Sequence, residues 1–160
     1  MEKSHVSGVA KDKDVARLAL TKLADEPGIA FKVFSLLAKN KINVDIILQS
    51  IGREDRKDIS FTVARGDMDN AKALLEDHRA ELGFETITVD DQVAKVSVVG
   101  AGMVNNSGVA AKMFEALFGA GININMISTS EIKISVLVAE RDADRAVQAI
   151  HDRFFSEFGA

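Results

Sequence analysis

Several residue types and patterns behind common protein chemistry are missing from this 160-residue chain. It has no cysteine, which excludes disulfides and thiolate catalysis and removes the usual ligands of structural zinc. Its formal net charge of -4 comes with scattered Lys and Arg, so nucleic acid is not an expected partner. No apolar run approaches the roughly 20 residues that span a bilayer, and residues 1–5 lack the apolar core of a signal peptide. We therefore expect a cytoplasmic protein with no membrane partner.

What the chain does contain is an internal repeat. Residues 28–50 match residues 108–130 without a gap at an offset of 80, and the match resumes beyond the next hairpin at an offset of 75. The second hairpin is therefore five residues shorter than the first. Such a period indicates two copies of one structural unit. The identical pairs are Gly28/Gly108, Ala30/Ala110, Lys32/Lys112, Phe34/Phe114, Leu37/Leu117, Ile42/Ile122, Asn43/Asn123, Ile47/Ile127 and Ser50/Ser130.

Hydrophobic periodicity predicts the same order of elements in both copies. Alternating and β-branched runs predict strands, and apolar residues at three- and four-residue spacing predict helices that begin near Gly28 and Gly108. Asp67 and Asp142 are expected N-caps of the second helix in each copy, and Gly83 should end the first of these helices. The predicted strands are 17–22, 44–51, 59–64, 95–99, 124–130 and 134–139, and the second helices are 68–82 and 143–155.

The two copies close their sheets differently. The first copy ends with a strand at residues 85–90, whereas the second copy has no closing strand of its own. Residues 6–10 are β-like and lack a partner in the first copy, so we expect them to cross over and cover the bare edge of the second sheet. The predicted fold class is α+β, with two ferredoxin-like βαββαβ domains, each a sheet of four antiparallel strands with two helices on one face. The first domain, 15–91, is inserted into the second, which comprises 5–11 plus 92–157.

This arrangement resembles the tandem ACT domains at the C-terminus of aspartokinase (aspartate kinase), which also occur as a separate regulatory β subunit. The resemblance covers nearly the whole chain and rests on residues 6–10, 25–30, 42–45, 90–103 and 127–135. It implies an allosteric module that binds threonine, lysine or both, for feedback control of lysine, threonine and methionine biosynthesis. It also implies a homodimer through the ACT domains and, as partner, an aspartokinase catalytic domain or α subunit.

The family's N-terminal kinase domain has no counterpart in this sequence. We therefore expect no catalysis by this chain alone and no cofactor. The chain is expected to be either a separately made regulatory subunit or an excised domain. A stand-alone pair of ACT domains that senses another amino acid and regulates another enzyme is the alternative.

The loop before the first helix carries groups that a free amino acid requires. The unpaired N–H groups of a helix N-terminus beside Gly28 can accept a carboxylate, and Asp25 is the natural counter-charge for the ammonium group. Effector-binding candidates on the first copy are Asp25, Gly28, Ile29, Ala30, Ile42 and Gln49. Gln49 can read a polar side chain, and backbone groups near Ile42 can close the pocket. The resemblance further implies that a facing copy contributes Asn123 and Ile124.

The equivalent loop of the second copy lacks the carboxylate, because Asn105 stands opposite Asp25. Two interpretations stay open: a second effector site, or a site that survives only as an interface. Losing a charge-assisted hydrogen bond of about 1.5–3 kcal/mol weakens binding by roughly one to two decades. The second-site candidates are Ser107, Gly108, Val109, Ala110, Ser130 and Glu131.

Two other candidate sites are weaker. Gly100 and Gly102 follow a predicted strand as in a dinucleotide-binding loop, but position 105 is Asn rather than a third glycine, and no acidic residue ends a strand about 20 residues on. His5, His78 and His151 stand singly, with no pair at metal-ligand spacing. We predict neither nucleotide nor metal binding.

Overall fold

The computed structural model describes residues 6–100 and 107–155, which divide between two units. One unit is Asp14–Asp91, and the other is formed by the chain on both sides of it. The elements in chain order are β1 (Val6–Asp12), β2 (Ala16–Ala24), α1 (Ile29–Lys39), β3 (Ile47–Gln49), β4 (Arg56–Val63), α2 (Met68–Asp77), α3 (Arg79–Leu82), β5 (Ile87–Asp90), β6 (Val93–Gly100), α4 (Ser107–Gly119), β7 (Met126–Thr129), β8 (Lys133–Ala139) and α5 (Ala143–Phe155).

The unit Asp14–Asp91 is a four-stranded antiparallel sheet in the order β3-β4-β2-β5, covered by helices. Its core forms because alternate residues of β2 and β4 meet one stripe of α1. Phe61 is fully buried in this core and packs edge-to-face against Phe34, with ring centroids 5.5 Å apart. The central buried residues are Leu18, Leu20, Ile29, Val33, Leu37, Ile59, Phe61, Ala71 and Leu75.

The second unit repeats this design with the order β1-β6-β8-β7. The N-terminal strand β1 pairs antiparallel with β6, from Gly8 opposite Val99 to Asp12 opposite Lys95, and so supplies the fourth strand of this sheet. The core residues of this unit include Val96, Val98, Val109, Met113, Leu117, Ile134, Val136, Val138, Ala146 and Ile150. The predicted fold class is confirmed: two four-stranded antiparallel sheets with helices, arranged as ferredoxin-like α+β domains.

The second predicted strand of the first copy is shorter than expected. The sequence pattern extends it over residues 44–51, whereas β3 covers Ile47–Gln49. The regular ladder fails before Ile47 because Thr62 Oγ1 accepts the backbone N–H of Ile46, while the Thr62 carbonyl accepts that of Asp45. One residue of β4 thus bonds two successive residues of the incoming chain.

The predicted helix 68–82 is also wrong as a single element. It divides at His78 into α2 and α3, and His78 has a non-helical φ of -106°. Gly83 ends α3 in the left-handed conformation, as expected. Asp67 belongs to a 3₁₀ turn with helical φ and ψ, and its side chain makes no capping bond. Asp142 lies in a similar turn, and its carboxylate accepts a hydrogen bond of 2.8 Å from Arg145 Nη2. Within the described residues, no helix combines the length and apolar character needed to cross a bilayer.

Candidate functional site

The chain enters the predicted effector loop through an irregular end of β2. The β2–β4 register shifts between Leu20 and Leu23, and Lys22 has a φ of 54°. The carboxylate of Asp58 holds this bulge by accepting the backbone N–H of Lys22 at 2.9 Å. A bulge of this kind bends a strand and redirects the residues that follow it. Residues 25–28 therefore leave the sheet as a loop beside the β3–β4 hairpin.

The tip of that hairpin is a tight two-residue turn. Arg53 and Arg56 exchange two backbone hydrogen bonds of 2.7 and 2.8 Å around Glu54 and Asp55. Both turn residues have positive φ, at 52° and 62°, which is the conformation of a type I′ turn. This turn type matches the twist of a hairpin, and it fixes which residues of the hairpin face the loop.

Three hairpin groups surround Asp25. The Asp25 backbone N–H donates to the Asp55 carbonyl at 2.8 Å, and Lys57 Nζ lies 3.3 Å from Asp25 Oδ1. On the other side the carboxylate rests against Gly52, so closely that an added Cβ there would lie 1.9 Å from Oδ2. Any side chain at position 52 would clash with the carboxylate in this position, so only glycine leaves room for it. Asp25 keeps 41% of its side chain exposed, whereas Lys57 exposes 15%.

The N-terminus of α1 lies immediately after this loop. Gly28 is the N-cap, with a φ of 92° that favours glycine, and nothing lies within 4 Å of the place where a Cβ would stand. The amides of Ile29 and Lys32 donate to the carbonyls of Glu26 and Gly28. The other first-turn amides have no acceptor within the helix. Together with the open space beside Gly28, they make this end of α1 accessible to an anionic group.

A cavity of about 480 Å³ opens beside Asp25. Four of its lining side chains are carboxylates, against one guanidinium, so its wall favours a cationic group such as an ammonium. Its lining residues are Ala24, Asp25, Glu26, Glu54, Asp55 and Arg56.

The remaining first-site candidates occupy different places. Ile29 is buried in the core and Ala30 is half-buried, so their backbone rather than their side chains can serve a ligand. Gln49 is exposed at the end of β3, three residues before Gly52. Ile42 is not beside Asp25: it follows the C-terminal end of α1, and this helix is about 16 Å long. Its amide already donates to Leu37 O, and its side chain is buried.

Asn123 and Ile124 lie in the other unit, in the turn before β7. Asn123 is exposed, and Ile124 packs partly against the core of that unit. They are the repeat equivalents of Asn43 and Val44. Their place at the first site depends on a second copy of the chain and stays a prediction.

The second candidate site is described in part, because residues 101–106, including Asn105, lie outside the described residues. Ser107 begins α4, Gly108 is exposed, Val109 is buried in the core and Ala110 is half-buried. Glu131 is exposed in the short hairpin that Ser130 closes, through a bond of 2.8 Å from its amide to Lys133 O. This hairpin lacks the five extra residues of the first one.

Sequence reasoning missed Gly52, Asp55 and Lys57 as parts of the first site. The available signal was the five-residue difference in hairpin length between the copies. Its consequence becomes visible only in the fold, where the longer hairpin of the first copy reaches the Asp25 loop.

Comparison with known proteins agrees with this architecture. The ACT domain family model matches residues 21–78 and 96–154. The regulatory subunit of aspartate kinase from Thermus thermophilus, in its ligand-free form, is 41% identical, with a TM-score of 0.90 over 96% of this chain and 100% of that one. The chain belongs to the family of aspartate kinase regulatory ACT domains.

Two further relatives show how this tandem ACT module relates to larger proteins. Aspartate kinase of Pseudomonas fluorescens is 42% identical over 154 residues, which are 96% of this chain and 37% of that protein. The chain thus spans little more than a third of the curated relatives it matches. Aspartokinase III of E. coli, solved in complex with lysine and aspartate, is 25% identical with a TM-score of 0.71, over 95% of this chain and 34% of that one.

Proposed function

We propose that this module senses a free amino acid, threonine, lysine or both, at the Asp25 loop and thereby controls an aspartate kinase catalytic domain or α subunit. One observation carries the proposal: a partly exposed carboxylate and an accessible helix N-terminus lie on the same short loop, beside an acidic cavity. The ammonium of an amino acid would pair with Asp25, and its carboxylate would accept first-turn amides of α1. The complex of E. coli aspartokinase III with lysine and aspartate supports an amino acid as the ligand class.

The module is proposed to act as a homodimer. The edge strands β3 and β7 carry exposed aliphatic side chains: Ile47 and Leu48 on β3 and Ile127 on β7 are about half exposed, and Ile51, just after β3, is 93% exposed. Apolar side chains gathered along an open sheet edge favour pairing with a second copy. A facing copy would bring Asn123 and Ile124 to the Asp25 loop. Ligand binding and assembly would then be one coupled equilibrium.

A thermal-shift and calorimetric screen with threonine, lysine and methionine tests the proposal. A ligand at 100 times its dissociation constant should stabilise the module by about 2.7 kcal/mol. Asp25→Asn keeps the shape of the side chain but removes its charge, and it should weaken binding by roughly one to two decades. Asp77→Asn, an exposed carboxylate at the end of α2, is the matched control and should bind normally.

Sedimentation with and without the ligand tests the coupling to assembly. The bound ligand should shift the monomer–dimer equilibrium towards the dimer. A module that responds to no amino acid, or an Asp25→Asn variant that binds with unchanged affinity, would contradict the assignment.

A further inference from the structure

Lys57 has a position that the effector loop alone does not explain. Its side chain is only 15% exposed, although lysine is mostly found at the surface, and its ammonium lies 3.3 Å from Asp25 Oδ1. Its backbone stands opposite Leu23 in the β2–β4 ladder. Ordering a lysine side chain in a largely buried place loses rotamer entropy, and burial of its charge requires a partner. Asp25 is that partner, and it is also the carboxylate proposed to receive the ligand's ammonium.

The internal repeat separates what the fold needs from what the site needs. At the register of Lys57, which follows from the offset of 75 beyond the hairpin, the second copy has Ile132, and at the register of Asp25 it has Asn105. The second unit forms the same four-stranded sheet with neither charge at these positions. The ACT fold therefore requires neither a lysine nor an aspartate at these two positions. The two residues occur together in one copy and are both missing from the other.

We infer that Lys57 is an internal competitor for the ammonium of the effector and so sets the affinity and selectivity of the site. This inference rests on the proposed function. With Lys57 in place, an approaching ammonium meets a nearly neutral ion pair instead of a lone carboxylate. The ligand must share Asp25 with Lys57 or displace it, which raises the concentration at which the sensor responds. A ligand with a second positive charge on its side chain meets the largest penalty, because Lys57 repels that charge as well.

Calorimetry with threonine and lysine on a set of variants tests this role. Lys57→Gln removes the charge and should tighten threonine binding about two- to fivefold, the range for an ion pair with one exposed partner, with a larger gain for lysine. Lys57→Arg should bind threonine no more tightly than the wild type, because a guanidinium can hold Asp25 with two hydrogen bonds. Arg153→Gln is the matched control: Arg153 also makes an ion pair, at 2.9 Å with Glu115 in the other unit, and its loss should leave affinity unchanged.

The outcomes separate this inference from the proposed function. Affinity for threonine that increases in the order Lys57→Arg, wild type, Lys57→Gln supports both the role of Lys57 and the proposed function. Equal or weaker binding by a folded Lys57→Gln variant overturns the role of Lys57 and leaves the sensor assignment standing, since weaker binding would mean that Lys57 contacts the ligand's carboxylate. If Lys57→Gln does not fold, tighter binding by Lys57→Arg overturns the role by itself. If neither the wild type nor any variant binds an amino acid, the proposed function fails and this inference fails with it.

Discussion

Replacing Gly52 with alanine would displace the Asp25 carboxylate without changing its charge. A Cβ at position 52 would lie 1.9 Å from Oδ2 and 2.7 Å from Cγ of Asp25, both far inside van der Waals contact. The carboxylate must therefore move away from the hairpin. Because the atoms nearest the new methyl group belong to the end of a rotatable side chain and not to backbone, the fold can accommodate it.

The expected change in stability is small because two effects oppose each other. Glycine to alanine restricts the unfolded chain and stabilises the fold by about 0.4–1 kcal/mol where the backbone permits it. Loss of the Asp25–Lys57 ion pair, with Asp25 41% exposed, destabilises by about 0.2–1 kcal/mol. The free energy of unfolding should stay within about 1 kcal/mol of the wild-type value.

The expected change in binding is much larger. A misplaced carboxylate loses a charge-assisted hydrogen bond of about 1.5–3 kcal/mol, which weakens binding roughly tenfold to a hundredfold. Release of Lys57 acts in the opposite direction, but by at most about fivefold. Weaker binding should therefore prevail in Gly52→Ala, whereas Lys57→Gln, which leaves the carboxylate in place, should bind more tightly.

Calorimetry with threonine and urea unfolding of the same samples provide the measurement. Gly66→Ala is the matched control, because a Cβ at Gly66 meets no atom within 4 Å. It should bind like the wild type. The reasoning is refuted if folded Gly52→Ala retains wild-type affinity, or if Gly66→Ala weakens binding as much.

Two further predictions concern the fold. Phe61→Ala should lower the free energy of unfolding of its unit by about 3–5 kcal/mol in urea unfolding, because Phe61 is fully buried against Phe34, and a loss below 1 kcal/mol would contradict this packing. In the other unit, the hydrogen bond from Lys11 and the charges of Lys11 and Lys13 lower the pKa of Asp144 from its ordinary value of 3.8. The carboxyl then stabilises the fold above that pH and loses the effect as the pH falls through its lowered pKa, so the difference in urea midpoint between wild type and Asp144→Asn should vanish in acid.

Much of the fold could be predicted because its determinants are local. The stripe Ile29, Val33 and Leu37 and the alternation along β2 and β4 each lie within one short segment, and the repeat states the pattern twice. The limits of β3 were wrong for a tertiary reason. The hydroxyl of Thr62, on another strand, takes the amide of Ile46 and interrupts the ladder. The periodicity of residues 44–51 carries no sign of this.

The candidate site could be predicted only where it is contiguous in sequence. Asp25 and Gly28 belong to one loop, so their chemistry is evident from the sequence. Gly52 and Lys57 reach the same carboxylate only because the hairpin folds back over the loop. Ile42 was expected at this site, because it follows the loop in the chain and is identical in the two copies. Helix α1 separates it from the loop, so it lies at the far end of that helix.

The repeat also indicates how a sensor site can change while its fold is kept. Val33 and Leu37 correspond to Met113 and Leu117, and all four are fully buried, so the two cores rest on equivalent positions. The charged pair and the five extra hairpin residues occur in the first copy alone. Because they lie outside the core, altering them changes what surrounds the ligand's ammonium and leaves the packing that stabilises the unit intact. If the role of Lys57 holds, the response threshold of such a sensor can be tuned from the hairpin, with the binding carboxylate and the helix N-terminus unchanged.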